Sequence, residues 1–293
     1  MSRIKKEKKP SDNEVKGLIK ETSQQQVLHP NELVIVGVGA SAGGLEALQD
    51  FFAKMPEDSG LAFVVIQHLS PDYKSLMDEL LARHTQIPIH IAEDGMEVKP
   101  NHIYLIPPRK NISVFHDHLY LDLQNQKKSL NLPVDIFFRS LAVEKQKNAI
   151  GIILSGTGSD GTLGTRAIKE AGGMVMVQDE KSAKFDGMPR NSIATGLVDF
   201  ILPPSEMPDA LVNYIRHPFT KPNKKSENIL TQNIGVLQKV ALILREHCGI
   251  DFSYYKENTL VRRLERRVSI NRFENIGEYL VFLNESYKEK ETL

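Results

Sequence analysis

Three polar side chains of the kinds used in acyl transfer follow or end short apolar segments. Ser41 lies in Gly39-Ala40-Ser41-Ala42-Gly43, directly after the apolar run LVIVGV, and matches the G-x-S-x-G pattern of a nucleophile elbow. Small neighbours permit the tight strand-to-helix turn that lifts a serine hydroxyl away from the backbone. The backbone N–H of Ala42 is then a candidate donor to the oxyanion of a tetrahedral intermediate.

A serine hydroxyl needs a base, and that base needs a third group to orient it. His68 ends the apolar segment in FVVIQHLSP, and Asp160 follows AIGIIL within the loop Gly156–Gly161. Because the carboxyl ends of parallel strands meet at one edge, we expect Ser41, His68 and Asp160 to meet there as nucleophile, base and orienting acid. The same loop supplies the N–H of Thr157 or Gly158 as a second oxyanion donor.

The loop Gly156–Gly161 also permits a different interpretation. Its G-x-G-x-x-G pattern follows a strand and precedes a helix, and Asp179 ends the next strand as a ribose-binding acid would. Two points disfavour a dinucleotide site: the motif falls on a late strand, and Asp160 would put a carboxylate where pyrophosphate binds. The order serine, histidine, aspartate also differs from that of ordinary α/β-hydrolases.

An α/β scaffold is predicted to position these residues. Apolar runs alternate with helical patterns from Glu32 to about Ile215, which favours a doubly wound, mostly parallel sheet. HIYLIPP and SVFHDHLYLDL are predicted to form an antiparallel hairpin attached to it. The predicted strands are LVIVGV, LAFVVI, AIGIIL, MVMV and LVDFIL, and the predicted helices are GGLEALQDFFAKM, KSLMDELLARH, VDIFFRSLAVEKQ and TLGTRAIKEA.

Composition divides the chain further. We predict a disordered charged tail at 1–30, the α/β domain at 31–216, a linker at 217–231 and a small helical domain at 232–293. The 37 basic residues balance 37 acidic ones, so no overall field favours nucleic acid. The sequence has one cysteine, and no apolar run in it is like a signal peptide or long enough to span a membrane. We therefore expect a cytoplasmic protein without membrane insertion. We expect no metal site, and we assign His116 and His118 to the outer face of the hairpin.

The α/β part resembles the catalytic domain of CheB, the chemotaxis methylesterase, over most of residues 31 to 216. The matching segments are IVGVGASAGG, VVIQHLSP, IYLIPP, VDIFFRSLA, GIILSGTGSDGTLG and VQDEKSAKFDGMPRNSIATGLVDFILP. The resemblance implies hydrolysis of glutamate methyl esters, with possible glutamine deamidation, on the cytoplasmic helices of methyl-accepting chemoreceptors. It assigns the same triad: Ser41, His68 and Asp160.

Several positions depart from the commoner family pattern. Ala42 replaces a frequent threonine, Ser159 a frequent asparagine, and Asn131-Leu132-Pro133 is altered before Val134. These changes leave substrate contacts and rate open. The short tail also leads us to expect no receiver domain, and so no control by aspartyl phosphorylation in cis.

The final segment, GIDFSYYKENTLVRRLERRVSINRFENIGEYLVFL, resembles the N-terminal helical domain of CheR, the matching receptor methyltransferase. Arg262, Arg263, Arg266 and Arg267 form one basic stripe on a helix, which could meet an acidic receptor segment; a solvated surface is the alternative. We expect no cofactor for the esterase, and S-adenosylmethionine only with a further methyltransferase domain. The rival function is a non-catalytic receptor-binding adaptor.

Overall fold

The computed structural model describes residues 33–67, 77–124, 131–217, 234–252 and 257–293. His68, the predicted tail at 1–30 and all but one residue of the predicted linker at 217–231 lie outside these ranges. The predicted domain boundaries therefore stay predictions.

Seven strands form one parallel sheet, and three short strands form a separate antiparallel sheet. In chain order the strands are β1 Val34–Ala40, β2 Leu61–Gln67, β3 Ile89–Ile91, β4 Met96–Glu97, β5 His102–Leu105, β6 Lys110–Phe115, β7 His118–Leu123, β8 Ile150–Ile153, β9 Met174–Gln178 and β10 Phe200–Leu202. The large sheet has the order β10-β9-β8-β1-β2-β5-β3, and the small one has the order β4-β7-β6. The central strand β1 pairs with β2 and β8, so the residues that follow these three strands share one edge.

Helices cover both faces of the large sheet, which is why its strands read as continuous apolar runs. They are α1 Gly44–Phe52, α2 Met77–Leu81, α3 Pro133–Lys145, α4 Thr162–Glu170, α5 Gly187–Ile193 and α6 Met207–Arg216. One core cluster joins the sheet to α1, α2 and α6. The other joins it to α3, to single residues of α4 and α5, and to the small sheet. The predicted doubly wound α/β class is confirmed.

The predicted hairpin is partly wrong. His102–Leu105, the first half of HIYLIPP, is strand β5 and pairs in parallel with β2 in the large sheet. The antiparallel hairpin is formed by β6 and β7, which include SVFHDHLYLDL and extend it back to Lys110. Burial explains the difference, since three of the four residues of β5 are buried, as expected for a sheet strand covered on both faces.

The last described part of the chain is helical, as predicted. Its helices are α7 Ile234–Cys248, α8 Glu257–Ile270, α9 Ile276–Glu285 and α10 Tyr287–Thr292. Leu264, Tyr279 and Leu283 are fully buried in a core cluster of their own. No helix in the described ranges is both long enough and apolar enough to cross a bilayer.

Candidate active site

Ser41 lies on a tight turn between β1 and α1. Its backbone N–H donates to the carbonyl of Ser155 at 3.0 Å, and its own carbonyl accepts from the N–H of Gly44 at 2.9 Å. Gly43 has φ of 70°, and a Cβ there would lie 2.8 Å from Ser155 Oγ and from Lys184 Cβ. Glycine is therefore required for both conformation and space. This strand–turn–helix is the structural context that the G-x-S-x-G pattern predicts.

The loop after β8 packs directly against this turn. A Cβ built on Gly156 would lie 2.9 Å from the Cβ of Ser41 and 2.1 Å from the sulfur of Met188. Only glycine permits that approach. Thr157 and Gly158 follow as exposed residues, so both predicted oxyanion donors belong to the loop beside Ser41. Their role and that of Ala42 stay predictions.

Asp160 is 2% exposed and caps the amino end of α3. Its Oδ2 accepts from the N–H of Val134, and its Oδ1 accepts from those of Asp135 and Gly161, each at 2.9 Å. A helix N-terminus favours a negative charge, because its first N–H groups have no partner within the helix. This capping role of Asp160 is not predicted by the sequence, since Asp160 lies 26 residues after Val134.

The same helix ties β1 to the Asp160 loop. A Cβ on Gly39 would lie 2.4 Å from Val134 Cγ1, and a Cβ on Gly161 would lie 3.1 Å from that atom. The first turn of α3 thus fills the space between the strand before Ser41 and the loop that carries Asp160. This packing holds the two predicted catalytic residues at one edge of the sheet.

A second carboxyl group, that of Asp135, is buried nearby at 3% exposure. Its Oδ1 accepts from the N–H of Gly164 at 2.6 Å, and its Oδ2 has no hydrogen-bond partner. Burial raises the pKa of Asp135, and the charge of Asp160 adds to this rise. The sequence alone predicts no role for Asp135, because its burial beside Asp160 depends on long-range packing.

His68, the predicted base, lies outside the described residues, so its role stays a prediction. The structure does place the residue before it. Gln67 ends β2 and is paired in register with Ala40, the last residue of β1. The chain that leads to His68 therefore leaves the sheet at the same edge as the chain that leads to Ser41.

A polar cavity of about 220 Å³ opens next to Gln67. Arg109 and Lys110, which follow β5 and begin β6, are the cationic residues among the described residues that line it, and none of those described residues is acidic. The remaining lining residues are Ile106, Pro107, Pro108, Gln124, Asn131 and Pro133. Pro133 begins α3, the helix that Asp160 caps, so the cavity lies beside the candidate site.

The predicted basic stripe is divided by burial. Arg262 and Arg263 are exposed, and Arg263 Nη1 donates to the carbonyl of Leu293 at 3.1 Å. The side chains of Arg266 and Arg267 are each only 12% exposed. Arg267 forms a two-pronged contact with the carboxylate of Glu289. Two of the four arginines are thus turned toward buried acids, and receptor binding by the stripe stays a prediction.

Arg266 reaches the α/β domain. It forms an ion pair with Asp199, whose carboxylate is 1% exposed and also accepts from Lys169 Nζ at 2.6 Å. Burial opposes ionisation of Asp199, but the charges of Arg266 and Lys169 and the hydrogen bonds outweigh it and lower its pKa. Burial lowers the pKa of Lys169 to about 8, against the opposing effect of Asp199. We call Asp199, Lys169 and Arg266 the buried ion cluster.

Comparison with known proteins agrees with this geometry. Residues 36–211 match the model of the CheB methylesterase family, and residues 236–293 match that of the CheR methyltransferase all-alpha domain. An uncharacterised 104.1 kDa protein of Rhodobacter capsulatus is 34% identical over 237 residues, covering 74% of this chain and 25% of that protein. A protein-glutamate methylesterase/protein-glutamine glutaminase of Trichodesmium erythraeum is 32% identical over 188 residues, covering 63% of this chain and 53% of that protein.

The α/β domain also has a solved structural counterpart. The catalytic domain of the Thermotoga maritima CheB methylesterase superposes with a TM-score of 0.57 at 30% identity, covering 62% of this chain and 98% of that domain. The chain spans about half or less of the length of the two curated relatives described above. A dinucleotide site at Gly156–Gly161 is not favoured by these matches. With its elbow serine, its capped α3 and its sheet order, this chain belongs to the CheB methylesterase family.

Proposed function

We propose that this protein is a serine hydrolase that removes methyl groups from glutamate methyl esters of other proteins. The observation that carries the proposal is the elbow at Ser41, held against the Gly156 loop within a domain of the CheB methylesterase family. The names of related protein-glutamate methylesterase/protein-glutamine glutaminases support the substrate class. They also support glutamine deamidation as a second reaction of the same site.

The proposed chemistry passes through an acyl-enzyme. His68 takes the proton of Ser41, and the serine oxygen attacks the ester carbonyl carbon to form a tetrahedral intermediate. Backbone N–H groups of Ala42 and of Thr157 or Gly158 stabilise its oxyanion. His68 then protonates the departing methoxide, and methanol leaves.

Water completes the reaction. His68 removes a proton from water, the resulting nucleophile cleaves the serine ester, and the serine regains its proton as the glutamate carboxylate is released. Asp160 orients the imidazole throughout. These steps move only protons and an acyl group, so we propose that the esterase needs no cofactor.

We propose that the substrates are cytoplasmic helices of methyl-accepting chemoreceptors and that the protein acts in the cytoplasm. The cavity beside Gln67 supports this, because Arg109 and Lys110 contribute positive charge to its described lining. Receptor glutamates that are not esterified carry negative charge and complement such a lining. Arg262 and Arg263 are the exposed members of the predicted basic stripe and could contact an acidic receptor segment.

The test is methanol release from methylated receptor by the wild type, Ser41→Ala and Ser59→Ala. Ser59 lies in the turn before β2, at the opposite end of the strand from Gln67, so Ser59→Ala is a matched serine control. We expect release by the wild type and the control and none by Ser41→Ala. Labelling with a serine-directed phosphonate should follow the same pattern. Unchanged release by Ser41→Ala would remove the proposed nucleophile, and an unlabelled wild type would favour a non-catalytic adaptor.

A further inference from the structure

Ser155, one residue beyond β8, is fully buried between the nucleophile turn and the chain that precedes α5. Its Oγ donates to the carbonyl of Ala42 at 2.9 Å and accepts from the N–H of Phe185 at 3.0 Å. The carbonyl of Phe185 is farther from the hydroxyl, at 3.3 Å. Because a hydroxyl has one proton, we assign that proton to the shorter hydrogen bond, which is the one to the carbonyl of Ala42.

The backbone of Ser155 touches the same turn. Its carbonyl accepts from the N–H of Ser41 at 3.0 Å, and its N–H donates to Gln178 Oε1 at 2.8 Å. Ser155 therefore forms hydrogen bonds on both sides of the Ser41 side chain. Its carbonyl binds the backbone N–H of Ser41, and its hydroxyl binds the carbonyl of Ala42. One buried residue thus brackets the side chain that is proposed to attack.

These contacts determine the orientation of the Ala42 peptide groups. Each peptide unit is planar, and two successive units share one Cα atom. Gly44 N–H holds the unit between Ser41 and Ala42 through the Ser41 carbonyl, and Ser155 Oγ holds the next unit through the Ala42 carbonyl. The Ala42 N–H lies in the first of these units, and the Ser155 hydroxyl restrains that unit indirectly, by holding the second unit that shares the Cα of Ala42.

We propose that Ser155 is a positioning residue that fixes the Ala42 peptide, and with it the oxyanion donor and the Ser41 hydroxyl. This inference rests on the proposed function, because it assigns Ser155 to the same acyl-transfer site. Preorganised donors are effective only when they are aimed at the oxygen of the transition state, so a hydroxyl that fixes their aim affects kcat more than KM.

The test compares Ser155→Ala with Ser155→Thr, Ser155→Cys and Ser192→Ala. Ser192 is a matched control: it is also fully buried, but its Oγ has no hydrogen-bond partner among the residues that the structure describes. Misplacement by about 1 Å costs on the order of 100-fold in rate, so we expect Ser155→Ala to lower kcat for methanol release by about 10- to 100-fold with KM nearly unchanged. Ser192→Ala should retain kcat. The pH midpoint of kcat should not move, since the base is unaltered.

Two further variants keep the test decisive if Ser155→Ala does not fold. Thr retains the hydroxyl and should restore kcat to near the wild-type value, whereas Cys has a similar shape but a weak S–H donor and should not. A folded Ser155→Ala or Ser155→Cys with wild-type kcat overturns the proposal. So does a Thr variant that folds but remains as slow as the Cys variant.

The rate of phosphonate labelling separates this inference from the proposed substrate. If wild-type protein is labelled but releases no methanol from receptor, the methylesterase proposal fails, while slower labelling of Ser155→Ala still supports the positioning role. If Ser155→Ala is labelled as fast as the wild type, the positioning role fails even when methanol release confirms the esterase. An unlabelled wild type overturns both.

Discussion

Replacement of Asp160 by asparagine should separate the two roles of its carboxylate, which caps α3 and is proposed to orient the catalytic histidine. The Asp160 carboxylate accepts three backbone N–H groups, two at Oδ1 and one at Oδ2. Asparagine can keep the two bonds at Oδ1 with its carbonyl oxygen. Its NH₂ group then faces the N–H of Val134 across 2.9 Å, so that two donors oppose each other.

The expected loss of stability follows from this count. A lost hydrogen bond to a charged group is worth about 1.5–3 kcal/mol, and a buried donor without an acceptor costs about 1–3 kcal/mol more. We therefore expect Asp160→Asn to lower the free energy of unfolding by about 3 kcal/mol or more. For a domain of this size that corresponds to a fall in Tm of roughly 6–12 °C.

The catalytic effect should exceed what instability explains. An amide cannot stabilise the imidazolium or select its tautomer, and the corresponding change in a serine triad lowers kcat by about 10⁴-fold. Calorimetry and methanol release well below Tm would measure the two effects on the same sample. Asp135→Asn is the control, since it alters a buried carboxylate on the same helix that is assigned no catalytic role. A large loss of Tm with kcat retained would remove Asp160 from the triad, and a retained Tm would refute its role as the cap.

Three further predictions concern packing and pH. Gly156→Ala should lower kcat at least about 100-fold, because its Cβ would displace Ser41 or Met188; wild-type kinetics in a folded variant would contradict the contact. The raised pKa of Asp135 means that its contribution to stability is full below about pH 3.8 and is lost as pH rises through the folded-state pKa. The unfolding free energy of Asp135→Asn, measured with urea, should therefore lack this decrease with rising pH. A variant with the same pH dependence of stability as the wild type would contradict the raised pKa of Asp135. Lys169 titrates at about 8 when folded and near 10.5 as a model group, so its contribution to the unfolding free energy should rise between those pH values; Lys169→Met should abolish the rise, which denaturant midpoints at pH 7 to 10.5 would test.

Local patterns in the sequence predict much of this fold and only part of its site. The runs that became β1, β2, β8 and β9 are apolar throughout because both faces of the sheet are covered. The strand β5 was misassigned because a run of four residues carries too little pattern to distinguish parallel from antiparallel pairing. The elbow at Ser41 was predictable because its requirements are local: a tight turn and small neighbours.

Long-range partners account for what was missed. The cap of α3 comes from Asp160, which lies 26 residues after Val134, whereas the residue at the N-cap position, Leu132, offers no side-chain acceptor. Arg266 meets Asp199 from 67 residues away. A helical wheel shows that Arg262 and Arg266 share a face, but it holds no information about a buried acid on another domain.

The buried ion cluster also has a consequence for synthesis on the ribosome. Asp199 is made 67 residues before Arg266, and at about 5–20 residues per second the interval lasts several seconds. During that time Lys169 is the cation that contacts this carboxylate within the described part of the α/β domain, and burial disfavours the charge of Lys169. Until Arg266 emerges, the α/β domain therefore lacks this ion pair beside β10, at the edge of the large sheet. Translation order makes the helical module an intramolecular stabiliser of the domain that precedes it.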